Sequence, residues 1–99
     1  KAEKQKRVMI IPIKKEMRAK SFEVSSILRE AEIVAEVEVM GRSVSNALAD
    51  ADRRGFPLAV LLGPEEEKQG KVILRNMEKS EQRAVEITEL VKEIVKESS

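Results

Sequence analysis

Lys14 and Lys15, the triplet Gly41-Arg42-Ser43, the run Gly63 to Glu67 and Arg75 are where side-chain type and spacing could do chemistry in this chain. The lysines and arginines can take an anion. Ser43 can cap a following helix, and backbone N–H groups at Ser43 and Val44 can receive a phosphate. Glu66 can accept hydrogen bonds, and Arg75 can donate them. Acid–base catalysis has little to work with. The chain has no His and no Cys, which removes the usual general base, the thiolate nucleophile and the commonest metal ligands. Asp50 and Asp52 stand two apart on a helix and so do not share a face. No phosphate loop, dinucleotide fingerprint or nucleophile elbow occurs. These residues are equipped to bind, not to catalyse.

The elements that must position them can be read from the apolar pattern. Val8 to Ile13 is nearly continuous, which suits a strand buried on both faces, with Pro12 at its end. Lys15 to Ala31 reads as a helix whose stripe is Met17, Val24, Ile27, Leu28 and Ala31. Phe22 falls off that stripe and suits contact with another domain. Ile33 to Val39 alternates, which places Ile33, Ala35, Val37 and Val39 inward, and Glu36 and Glu38 outward, on an edge strand. Ser43 then opens a helix carrying Val44, Ala47, Leu48 and Ala51, stopped by Gly55. Leu58 to Leu62 is a second continuous strand, followed by a polar loop to Gly70. Lys71 to Met77 is a further strand. Ser80 is read as the cap of a last helix burying Ala84, Ile87, Leu90, Val91, Ile94 and Val95.

The expected fold is therefore α/β: a three-layer β-α-β-α-β-β-α domain with a mixed, mostly parallel sheet and helices on both faces. Helical crossovers make the first three strands parallel, the fourth antiparallel, and the order 2-1-3-4. Ligands in such sheets bind beyond the carboxyl ends of the parallel strands. Lys14, Lys15, Arg42, Ser43 and Glu66 follow such ends. Residues 1–6, rich in charge, read as a linker remnant of a longer polypeptide, 7–97 as the domain and 98–99 as a tail. With a net charge of only +1, any attraction to a polyanion must come from local charge placement. No apolar run is long enough to span a membrane and no signal peptide is present, so a cytoplasmic setting is the expectation.

Laid end to end, Gly41-Arg42-Ser43, Ala51-Asp52, Gly55, the apolar strand closing on Gly63, Glu66, Gly70, Val72, Arg75 and Glu81-Gln82 form a spaced pattern. With Ile11-Pro12 and Leu28-Arg29 upstream, it resembles the C-terminal anticodon-binding domain of class II aminoacyl-tRNA synthetases, most closely the histidyl branch. Two positions depart from that family. Glu32 stands where a Gly is usual between the first helix and second strand, and Pro64 stands where an acidic residue is common.

The resemblance implies a module that grips the anticodon stem-loop of a tRNA for a histidine–tRNA ligase. It implies RNA contacts at Glu66, Arg75, Arg42, Ser43, Lys14 and Lys15, with no catalytic residue and no metal. Glu66 would accept from guanine N–H groups, and Arg75 would donate to base oxygens or phosphate. Aminoacylation, and with it ATP, would belong to a separate catalytic domain of the same chain, in a homodimeric parent. The alternative is a non-catalytic paralogue that uses the same fold for protein dimerisation or regulation. With only Phe22 and Phe56 as aromatics, recognition would rest on polar groups more than on stacking.

Overall fold

The computed structural model describes residues 7–97; the expected linker remnant (1–6) and tail (98–99) lie outside the described residues. The elements run β1 (Arg7–Pro12), α1 (Arg18–Glu30), β2 (Val34–Val37), α2 (Val44–Arg53), β3 (Leu58–Leu62), α3 (Pro64–Lys68), β4 (Lys71–Asn76), β5 (Glu81–Glu86) and α4 (Leu90–Glu97). One sheet orders them β2-β1-β3-β4-β5. β1 pairs in parallel with β2 and β3, while β3–β4 and β4–β5 are antiparallel.

Strand alternation divides the core. Val8 and Ile10 of β1, with Leu58, Val60 and Leu62 of β3, face a larger cluster closed by α1 and α4. Met9, Ile11, Ala59 and Leu61 face the other way, against Ala47 and Ala51 of α2 and Phe56. Both central strands are thus sandwiched between helical layers, which is why their sequences are apolar at successive positions.

Several expectations need correction. The sheet has a fifth strand, made from residues assigned above to the start of the last helix. Ser80 cannot cap that helix: its φ is +57°, in a turn where the Asn76 side chain accepts from the Lys79 N–H at 2.9 Å. Such an Asn-based turn folds β4 back as β5. Ala84 is therefore exposed on a strand, and α4 begins only at Leu90. On α4, Leu90 and Ile94 are buried but Val95 is exposed. The polar run after Gly63 is a short helix, with Pro64 in its first turn, where the missing N–H costs nothing. On α1 the buried stripe is completed by Ser21 and Ser25, while Ile27 and Ala31 face out. Glu38, expected outside, is only 6% exposed, and Val39 is 49% exposed. Phe22 is 51% exposed, off the buried stripe as expected.

β5 and α4 are fastened by polar groups. Arg83 reaches Glu93 at 2.6 Å and Glu97 at 2.8 Å, and the Asn76 amide donates to Glu97 at 2.8 Å. The hydrogen bond from Arg83 holds the Glu93 carboxyl below its ordinary value. That from Asn76, seconded by Arg83, does the same for Glu97.

α1 ends in a Schellman turn: Ile33 N–H donates to Leu28 O, and Glu32 N–H to Arg29 O. α2 ends the same way, with Phe56 to Ala51 and Gly55 to Asp52. The residue at the left-handed position is Gly55 (φ +80°) in one and Glu32 (φ +64°) in the other. Glu32 is exposed, so its side chain gains no burial in return for the strain. Glu32→Gly is expected to stabilise the domain by about 0.5–1 kcal/mol, strain relief outweighing the added freedom of the unfolded chain. Glu32→Ala, which keeps the Cβ, should give no such gain. Urea denaturation of the two variants checks this, and a Gly variant no more stable than the Ala variant would contradict it.

Candidate functional site

The loops leaving β1 and β2 diverge at the carboxyl edge of the sheet and leave a cleft of about 280 Å³. Its walls carry Lys14, Lys15 and Arg18 from the chain after β1, and Glu38 and Arg42 from the chain after β2. Lys14 is extended and its carbonyl accepts from Met17 N–H at 2.8 Å, which starts the turn into α1. Arg18 Nη2 donates to Val39 O at 3.3 Å and so ties the two loops together. Gly41, at φ +72°, turns the second loop toward α2.

Arg42 stands between two carboxylates. Its Nη1 lies 3.2 Å from Glu38 Oε1 and 3.1 Å from Asp50 Oδ2. Glu38 Oε2 also accepts from Met40 N–H at 2.8 Å. Asp50, 8% exposed, further meets Arg53 at 2.6 Å and Arg54 at 3.4 Å, and Arg54 reaches Glu36 at 2.7 Å. Arg54 and Arg7 also lie over the Phe56 ring, 5.2 Å and 4.2 Å from its centre. Burial alone would raise the Asp50 carboxyl; the Arg54 hydrogen bond and the charges of Arg42, Arg53 and Arg54 outweigh it and hold Asp50 below its ordinary value. Three carboxylates thus face three guanidinium groups, and the network is close to neutral. The positive charge of the cleft comes from Lys14, Lys15 and Arg18, none of which has an ion-pair partner among the described residues.

Of the residues singled out by sequence, Lys14, Lys15 and Arg42 line one cleft, with Ser43 next to it in the chain. Ser43 does cap α2: its Oγ accepts from Asn46 N–H at 3.2 Å. Glu66 is on α3, after the carboxyl end of β3, its carboxylate against Gly63, where a Cβ would collide with it. Arg75 is elsewhere. It pairs in register with Ala59, near the start of β3, roughly 13 Å along the strand from Gly63. No ion pair joins it to Glu66 among the described residues; it donates instead to Gln82 Oε1 at 2.8 Å across β5. Arg75 Nε is buried with no partner. Strand alternation puts Arg75 on the side of Ile73 and Met77, the face opposite α4.

Arg18, Glu38 and Asp50 escaped the sequence reading. For Asp50 the signal was its spacing to Arg54, four apart at the end of α2; Glu38 and Arg42 stand in a loop, where spacing alone dictates no contact. Among the described residues no group of His, Cys, Asp and Glu is placed to hold a metal ion, and no helix is long and apolar enough to cross a membrane.

Comparison with known proteins bears on the fold and the family. The chain is 38% identical over 90 residues to a histidine–tRNA ligase of Thermococcus kodakarensis, covering 89% of this chain and 21% of that one. It is 39% identical over 85 residues to the histidine–tRNA ligase of Methanocaldococcus jannaschii, covering 84% and 20%. It thus spans about a fifth of the length of these relatives. The fold superposes on a crystal structure of histidyl-tRNA synthetase from a Nostoc species with a TM-score of 0.90 and 24% identity, over 93% of this chain and 22% of that one. The family model described as the anticodon binding domain matches residues 7–97, the whole of the described fold from β1 to α4, and the chain belongs to that family.

Proposed function

We propose that the domain binds the anticodon stem-loop of tRNA as the recognition module of a histidine–tRNA ligase. The observation that carries this reading is the coincidence of the family match with a cleft lined by three exposed cations, Lys14, Lys15 and Arg18, that have no ion-pair partner among the described residues. Anticodon bases are single-stranded, so their edges are open to polar side chains. Lys14, Lys15 and Arg42, with the first N–H groups of α2 at Ser43, take the phosphate backbone. Glu66 and Arg75 take base edges. On this reading aminoacylation, with its ATP, takes place in a separate catalytic domain of a homodimeric, cytoplasmic parent.

The test is fluorescence anisotropy with three RNA hairpins: the histidine anticodon stem-loop, the same stem with an altered anticodon, and an unrelated hairpin. The first should bind roughly tenfold or more tighter than the second, the scale of one good base contact. Lys14→Ala should weaken the first two alike and reduce the slope of log K against log salt by about one. Equal affinity for all three hairpins would refute the reading.

A further inference from the structure

Arg42 sits at the cleft mouth in an arrangement that a simple surface cation would not have. One nitrogen, Nη1, is engaged by both Glu38 and Asp50, at 3.2 and 3.1 Å. Both carboxylates are buried, with side chains 5% and 11% exposed, whereas the Arg42 side chain is 36% exposed. The two carboxylates approach from different elements, the end of β2 and the middle of α2. Glu38 is itself fixed by the Met40 N–H, and Asp50 by Arg53 and Arg54. Meanwhile Nε and Nη2 of Arg42 make no hydrogen bond within the described residues. The guanidinium is a planar fork with fixed donor directions. Pinning one nitrogen therefore fixes where the others can point.

We infer that Glu38 and Asp50 are positioning residues that hold Arg42 as a preformed seat for one phosphate, completed by Lys14 and Lys15 across the cleft. The inference rests on the RNA-binding reading for the source of that phosphate, the ribose-phosphate backbone. Preorganisation lowers the entropy lost when a long side chain is immobilised on binding. It also gives a prediction of unusual sign. Neutralising a carboxylate beside a polyanion site makes the site more positive, and charge alone would tighten RNA binding. If Glu38 positions Arg42, the same change weakens it.

The experiment uses this chain in two arms. In the first, affinity for the histidine anticodon stem-loop is measured for wild type, Glu38→Gln, Arg42→Lys, Arg42→Ala and Glu38→Gln/Arg42→Ala, each with a thermal melt. Glu38→Gln should bind roughly 3- to 10-fold more weakly, from the ordering cost of one side chain. In the Arg42→Ala background the Glu38 change should cost nothing further. Arg42→Lys, which keeps the charge and loses the fork, should also weaken binding, and it decides the matter if Glu38→Gln fails to fold. In the second arm, inorganic phosphate is titrated into ¹⁵N-labelled protein while the Arg42 Nε–H resonance is followed; it should move in wild type and much less in Glu38→Gln. Unchanged or tighter RNA binding by folded Glu38→Gln, or by Arg42→Lys in its place, overturns the inference and leaves the RNA reading standing. A phosphate response at Arg42 that Glu38→Gln diminishes, without selective hairpin binding, keeps the positioned seat and removes RNA as its ligand.

Discussion

Leu61→Ala is expected to destabilise the domain by about 2–5 kcal/mol, with the upper half of that range favoured by its surroundings. Leu61 is 3% exposed. It lies in register with Ile11 of β1 on one side and Ile73 of β4 on the other. Three of the other six buried members of its core cluster, Ala47, Ala51 and Ala59, are alanines. Alanines have no rotamers with which to fill a void, so the cavity would persist, and the cost of truncation rises with the cavity left behind. A domain of this size holds only about 5–15 kcal/mol in total, so the loss is a large fraction of it. Leu61 also supports α2, which carries Asp50 and is capped by Ser43. Urea denaturation measures the effect. A change below about 0.5 kcal/mol would mean that β3 is not the central support of the sheet.

That β3 is central could be read from Leu58 to Leu62 directly, because five apolar residues in a row leave no face for water. The same holds for β1. Local chemistry also reads well: Ser43 caps α2 and Gly55 ends it; at Glu32, where the absent Gly left open either a different turn or a left-handed Glu, the residue takes the left-handed position. The failures share a physical cause. β5 is an outer strand with a single buried residue, Val85, so it shows no alternation, while Ala84, Ile87 and Leu90 happen to fit a helical spacing. Glu38 was placed outside by alternation, but β2 ends at Val37, and beyond a strand's end alternation no longer governs which side chain turns inward. What buries Glu38 is Arg42, a partner visible only in three dimensions. For the candidate site, Lys14, Lys15 and Arg42 were legible from their place after strand ends, while Arg18, at the start of α1, was not. The separation of Glu66 from Arg75 was not, since it depends on the direction and register of β4 against β3.

That separation shapes the other large effect. In the full-length ligase that the proposed function implies, Glu66→Ala and Arg75→Ala should each lower kcat/KM for the cognate tRNA roughly tenfold to a hundredfold, the worth of one base contact of 1–3 kcal/mol. Folding should be nearly intact in both. The Glu66 side chain makes no ion pair or hydrogen bond to another described residue, and the Arg75 side chain makes one, to exposed Gln82. Removing Arg75 also removes a buried nitrogen that lacks a partner. The chain positions beside them, Gly63 and Ala59, lie roughly 13 Å apart along the strand, and well-separated sites with no shared partner behave independently, so the double variant should lose the product of the two single losses. A double variant no worse than either single one would mean that the two side chains act as one unit. Gly63→Ala offers a check that leaves every charge in place. Its φ of −111° suits any residue, yet the new Cβ would meet the Glu66 carboxylate and push it from its position, so part of the Glu66→Ala loss should reappear. The measurement is aminoacylation with wild-type and anticodon-altered tRNA, beside a melt of each variant. If Glu66→Ala and Arg75→Ala both charge the cognate tRNA as well as wild type does, neither side chain reads the anticodon.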